Sequence, residues 1–134
     1  MRVVIEPGIL EEVVAHARKC LPQEGCGFLI GRGDRVHRFV AAHNELASPT
    51  AYDIAPQVLF GLVRDLRVSG DDLVAIYHSH PTTQAVPSSR DVAEAHYPDS
   101  AYVIVSLRDP AVPEIRAYRI SDGLVDEVEL HAIV

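Results

Sequence analysis

Apolar residues along the chain follow two spacings. Leu10, Val13, Val14, Ala17 and Leu21 recur at intervals of three and four, which is one face of a helix. Pro7, just ahead of them, suits a first helical turn. A second face of the same kind runs from Pro56 to about Val68 through Leu59, Leu62, Val63 and Leu66, with Gly70 as a stop signal. Other segments read as strands. Residues 2–6 form a short one, and residues 26–31 (CGFLIG) are an apolar run between glycines that predicts a buried one. Residues 35–43 and 73–80 follow, and residues 101–107 (AYVIVSL) are the strongest, being rich in β-branched side chains. Residues 114–120 and 124–133 alternate as two closing strands joined across Ser121-Asp122-Gly123. Residues 44–55 are polar and turn-rich, a loop, and residues 81–87 have a proline at each end and cannot be regular. A short helix is expected to start at Ser88. The mixture predicts an α/β sandwich with a mixed, largely antiparallel central sheet flanked by helices.

Composition narrows the function classes. The chain has 134 residues, the size of a single domain spanning 1–134. A hydrophobic share of 48% is enough for a packed core, which excludes disorder as the main state. A formal charge of -7 makes nucleic acid and anionic membranes poor general partners. No apolar run is long enough to span a bilayer, and the opening MRVVIEPG does not read as a signal peptide. Cys20 and Cys26 make neither a disulfide framework nor paired zinc clips, so a cytoplasmic setting with reduced thiols is expected.

The chemistry concentrates in residues 77–91, YHSHPTTQAVPSSRD. His78 and His80 are two apart, so on a strand both rings point to one side and can reach one metal ion. Asp91 follows eleven residues after His80, and the intervening loop can return its carboxylate to the same place. Two histidines and one aspartate leave a tetrahedral zinc with an open position, the mark of a catalytic rather than a structural site. Each part also has a plainer explanation. A His-x-His pair arises by chance, and Ser88-x-x-Asp91 resembles a helix capping box that needs no metal.

The complete pattern is more specific than its parts. His78-x-His80 is followed by a gap of seven residues that begins with Pro81, then Ser88, then Asp91; Glu24 stands upstream in QEGCGFLIG. This set resembles the signature of the JAMM, or MPN-plus, zinc metallopeptidases, and the resemblance runs from Glu24 through the strand at 101–107. It implies the JAMM/MPN fold, a sandwich like that of cytidine deaminases. It also implies one zinc per chain held by His78, His80 and Asp91, with Glu24 as general base and proton carrier and Ser88 stabilising the oxyanion. The runs HNELASPTAYDI, YVIVSLRDP and RAYRISDG are similar to the small bacterial subgroup that processes ubiquitin-like sulfur carriers. The activity implied is hydrolysis after the carrier's C-terminal Gly-Gly, releasing cysteine or a C-terminal extension.

Such a tail commonly binds as an added strand on a sheet edge. Asn44, Ser48 and Tyr52 are candidates to line its groove, though loop polarity explains them equally well; Arg32, Arg35 and Arg38 are a possible basic surface for the carrier. An inactive scaffold module of the same fold, or a peptidase for cell-wall or other peptides, are the alternatives. A zinc deaminase is excluded, since His-x-Glu followed by Pro-Cys-x-x-Cys is absent. The remaining histidines, His16, His37, His43, His96 and His131, lack ligand spacing and read as surface or satisfied residues.

Overall fold

The structure is a computed structural model that describes all residues from Met1 to Val134. The elements in order are β1 (Arg2–Ile5), α1 (Ile9–Cys20), β2 (Cys26–Arg32), β3 (Arg35–Ala42), α2 (Pro56–Ser69), β4 (Asp72–His80), α3 (Ser89–Ala93), β5 (Ala101–Ser106), β6 (Glu114–Ser121) and β7 (Leu124–Ala132). The strands are arranged β1-β3-β2-β4-β5-β6-β7, and a parallel pairing of β7 with β1 closes them into a barrel. β4–β5 and β1–β3 are also parallel, and the remaining pairs are antiparallel. The expected mixed, largely antiparallel sheet with helices on its faces is therefore present. Its closure adds something the residue pattern did not predict, although β1 pairs with β3 only at Arg35 and Val36, so the rest of that edge of β3 has no strand partner.

Alternation along each strand sorts the side chains onto two faces. Leu29, Ala75, Tyr77, Val103 and Val105 pack on one face with Val13 and Ala17 of α1. Phe28, Ile30, Ile76, Ile104 and Tyr118 pack on the other with Leu62 and Leu66 of α2. Burying each large side chain of this kind contributes roughly 1.5–3 kcal/mol. The strand at 101–107 is the most enclosed, and every residue of β5 is buried. Tyr77 turns into the first core, as its alternation with His78 predicts. Ile76, His78 and His80 continue down the second face, so the apolar core hands over directly to the chemical residues at the end of β4.

Two details of the sequence reading change. Pro7 lies outside α1, because Gly8 is the cap residue and the helix begins at Ile9. Leu21 ends the helix rather than extending its buried face and is exposed; the face is carried by Ile9, Val13 and Ala17. No helix is long and apolar enough to cross a membrane.

Candidate metal centre and active site

β4 delivers His78 and His80 to one face, and the loop beyond it returns the chain to α3, where Asp91 joins them. The Nε2 atoms of the two histidines are 3.1 Å apart. Asp91 Oδ2 lies 3.0 Å from His78 Nε2 and 3.1 Å from His80 Nε2. All three residues are buried. Ligand bonds of about 2.0–2.1 Å in tetrahedral zinc place donor atoms roughly 3.3 Å from one another, close to this triangle.

The triangle needs a positive charge between its atoms. His80 Nδ1 lies 2.8 Å from the Gln84 carbonyl oxygen, which can only accept, so Nδ1 carries the proton. In a neutral His80, Nε2 then turns a bare lone pair toward the Asp91 carboxylate. Two acceptors in contact call for a cation between them, either a second ring proton or a metal ion. The Gln84 contact is also the support a ligating histidine uses to fix its tautomer. His78 is held differently: its Nδ1 is buried without a partner, and its ring stacks on Tyr52 with centroids 4.6 Å apart. The donor set fits zinc.

Charge in the site follows from the same contacts. Burial pulls the His78 imidazole down and outweighs the attraction of Asp91. Burial also works on His80, but hydrogen bonds to Asp91 and the Gln84 carbonyl outweigh it and raise that ring. Asp91 is driven well below the usual carboxylate range, because hydrogen bonds from His78, His80 and the Ser88 amide overcome its burial.

Ser88 and Asp91 form the capping box anticipated as the plainer explanation. The Asp91 amide donates to Ser88 Oγ at 3.1 Å, and the Ser88 amide donates to Asp91 Oδ2 at 2.9 Å. Capping and ligation are compatible, since the cap orients the carboxylate that meets the histidines. Ser88 Oγ accepts in this cap, which leaves its own hydrogen free, and the residue is exposed.

Glu24 sits just before β2, at the same end of the barrel, and is 4% exposed. Its Oε1 has no hydrogen-bond partner. Burial pushes its carboxyl up to about 8; His80 opposes this and Asp91 adds to it. The next residue leaves no room for a side chain, since a Cβ on Gly25 would stand 2.6 Å from the Tyr77 hydroxyl. Gly25→Ala therefore has to displace a buried tyrosine that reaches His16 at 3.1 Å. A loss of roughly 1–3 kcal/mol is expected in a denaturant titration, as for overpacked cores.

The five residues of the sequence pattern thus gather at one place. The loop candidates divide. Tyr52 lies over His78 and also lines a cavity of about 320 Å³ with Phe28, Leu59, Ile76 and Tyr102. Asn44 is buried behind Glu24 instead of lining a groove, and Ser48 offers its carbonyl to the Glu24 amide at 2.8 Å. Of the three arginines suggested for a basic surface, Arg32 is paired with Asp71 and Arg35 with Glu6, leaving Arg38 without an ion-pair partner. The Gln84 carbonyl and the stacking of Tyr52 were missed, because backbone groups and loop returns leave no spacing signal.

Known proteins share this arrangement of sequence and fold. The chain is 40% identical over 133 residues to the CysO-cysteine peptidase of Mycobacterium tuberculosis, covering 98% of this chain and 91% of that one. It is 36% identical over 104 residues to a desampylase of Haloferax volcanii, covering 72% and 74%. A solution structure from Desulfitobacterium hafniense superposes with a TM-score of 0.87 at 36% identity, covering 98% of this chain and 92% of that chain. The profile of the family described as prokaryotic homologs of the JAB domain matches residues 6–121, which hold the whole of the site built above. With its His-x-His strand, returning Ser-x-x-Asp helix and buried upstream glutamate, the chain belongs to that prokaryotic JAB family.

Proposed function

We propose that this protein is a cytoplasmic zinc peptidase that hydrolyses the bond after the C-terminal Gly-Gly of a ubiquitin-like sulfur carrier, releasing cysteine or a short extension. The observation that carries the reading is the buried triangle of His78, His80 and Asp91 beside a glutamate that is not part of it. His78, His80 and Asp91 would hold the ion. Bound zinc supplies Lewis acidity toward water and the scissile carbonyl. Glu24 takes a proton from the attacking water as its oxygen adds to the carbonyl carbon, then gives that proton to the leaving nitrogen as the C–N bond breaks. Burial raises the proton affinity of the Glu24 carboxyl, which suits a group that, once ionised, has to take a proton from water and hand it on. Ser88 donates its free hydroxyl hydrogen to the oxyanion. The mycobacterial peptidase and the desampylase among the relatives support a carrier-type substrate by their names. A Gly-Gly tail, having no side chains, can pass an enclosed site of this kind.

The test is cleavage of carriers bearing cysteine or a peptide after Gly-Gly, followed by intact-mass spectrometry with and without chelator. Loss of the residues beyond Gly-Gly, abolished by chelator and restored by zinc, is the expected result. One zinc per chain without cleavage of any carrier would remove the carrier substrate and favour another peptide or a binding role.

A further inference from the structure

Glu24 has a buried carboxyl whose Oε1 has no hydrogen-bond partner, so the backbone that carries it bears directly on its aim. The backbone there is gripped from several sides. Asn44, 6% exposed, donates from Nδ2 to the Glu24 carbonyl at 3.1 Å and to the Ala51 carbonyl at 3.0 Å. Its Oδ1 accepts from the amides of Leu46 at 3.1 Å and Asp53 at 3.2 Å. The side chain thus uses both donor hydrogens and both lone pairs, and it ties the loop after β3 to Glu24. Ser79 is fully buried, and its Oγ accepts from the Gly25 amide at 2.7 Å. The Ser79 amide donates back to the Gly25 carbonyl at 3.0 Å. Ser79 stands between the two candidate ligands, and strand alternation turns it to the opposite face from them.

The Glu24 carbonyl and the Gly25 amide belong to one peptide plane. Asn44 holds one end of that plane and Ser79 the other, while the Ser48 carbonyl holds the Glu24 amide on the preceding plane. With both planes fixed, the direction in which the Glu24 side chain leaves the backbone is fixed too. We propose that Asn44 and Ser79 are positioning residues that clamp the Glu24–Gly25 peptide and so aim the carboxylate that handles the proton. The inference rests on the peptidase reading above. A displacement of about 1 Å in a reacting group costs on the order of a hundredfold in rate, so the clamp matters to turnover rather than to affinity.

Two substitutions separate the ends. Asn44→Asp keeps the shape and the acceptor for Leu46 and Asp53, but replaces both donors with an oxygen facing two carbonyls. Ser79→Ala removes the acceptor of the Gly25 amide, together with the hydroxyl's contact with Tyr77, and leaves the backbone pair. Each is expected to lower kcat at least tenfold on a carrier substrate, with KM within twofold of wild type and one zinc per chain retained. In the metal-free proteins the Glu24 and Gly25 amides should exchange with solvent faster than in wild type. Should Asn44→Asp fail to fold, Ser79→Ala carries the test alone. A kcat within twofold of wild type, or a loss of kcat that tracks zinc loss or a rise in KM, overturns the clamp. If wild type cleaves no carrier, the peptidase reading fails instead. Amide exchange at Glu24 and Gly25 then decides the clamp by itself, and unchanged exchange overturns it.

Discussion

Glu24→Gln is expected to lower kcat by about two to four orders of magnitude, the usual contribution of a positioned acid–base group, with zinc content unchanged. Glutamine has the same shape and cannot carry the proton. Glu24 lies outside the triangle of His78, His80 and Asp91, so the ion has no reason to leave with its charge. The same substitution changes stability in the opposite direction. Burial holds the Glu24 carboxyl at about 8, against about 4.5 for the free group, so between these values the folded protein keeps a proton that the unfolded chain has released. Metal-free wild type therefore loses stability as pH rises through that window, and Glu24→Gln does not. Thermal melts of the two metal-free proteins should converge near pH 4 and separate toward pH 8, with the variant melting higher. Hydrolysis by Glu24→Gln at the wild-type rate would remove Glu24 from the proton path.

The chemistry was legible where it was local. His78 and His80 are tied by strand alternation, and Ser88 and Asp91 by the first turn of a helix; both relations are fixed by backbone geometry within a few residues. The two helical faces were legible for the same reason, although Pro7 falls outside α1 and Leu21 caps its end. Barrel closure was not, because β1 and β7 meet as a parallel pair across almost the whole chain, and no turn residue records such a pairing. The role of Asn44 was hidden differently. A polar residue in a turn-rich stretch reads as lining a groove or as solvated, and only the fold shows it buried with four backbone partners. Gly25 next to Glu24 carries no signal of its own in the sequence, yet its missing side chain is the space filled by the Tyr77 hydroxyl. What the sequence concealed is the support behind the Glu, His-x-His and Ser-x-x-Asp pattern, which is built from long-range contacts.

Asp91 gives the sharpest test of the metal centre, because its Oδ2 atom caps α3 and also meets both histidines. Substitution by alanine and by asparagine separates these tasks. Asparagine keeps an oxygen for the Ser88 amide but loses the charge, while alanine loses both. Without zinc, Asp91→Ala should lose about 1 kcal/mol for the cap and, in addition, the hydrogen bonds from the two histidines that hold its carboxyl low, and Asp91→Asn should lose less. With zinc the difference from wild type should become much larger. A ligand at a thousand times its dissociation constant stabilises the folded state by about 4 kcal/mol, which raises the melting temperature of a domain this size by roughly ten degrees or more. Wild type should show that rise on zinc titration, and neither variant should approach it at the same concentration. The histidines cannot compensate, since two imidazoles without the carboxylate offer the ion neither a third ligand nor a counter-charge in a buried place. A zinc-dependent rise equal to wild type in Asp91→Ala would mean that the ion sits elsewhere, and that the triangle is only a capped helix packed against two core histidines. A rise confined to wild type would join capping and ligation in one carboxylate, so that the Ser-x-x-Asp turn both starts α3 and completes the metal centre.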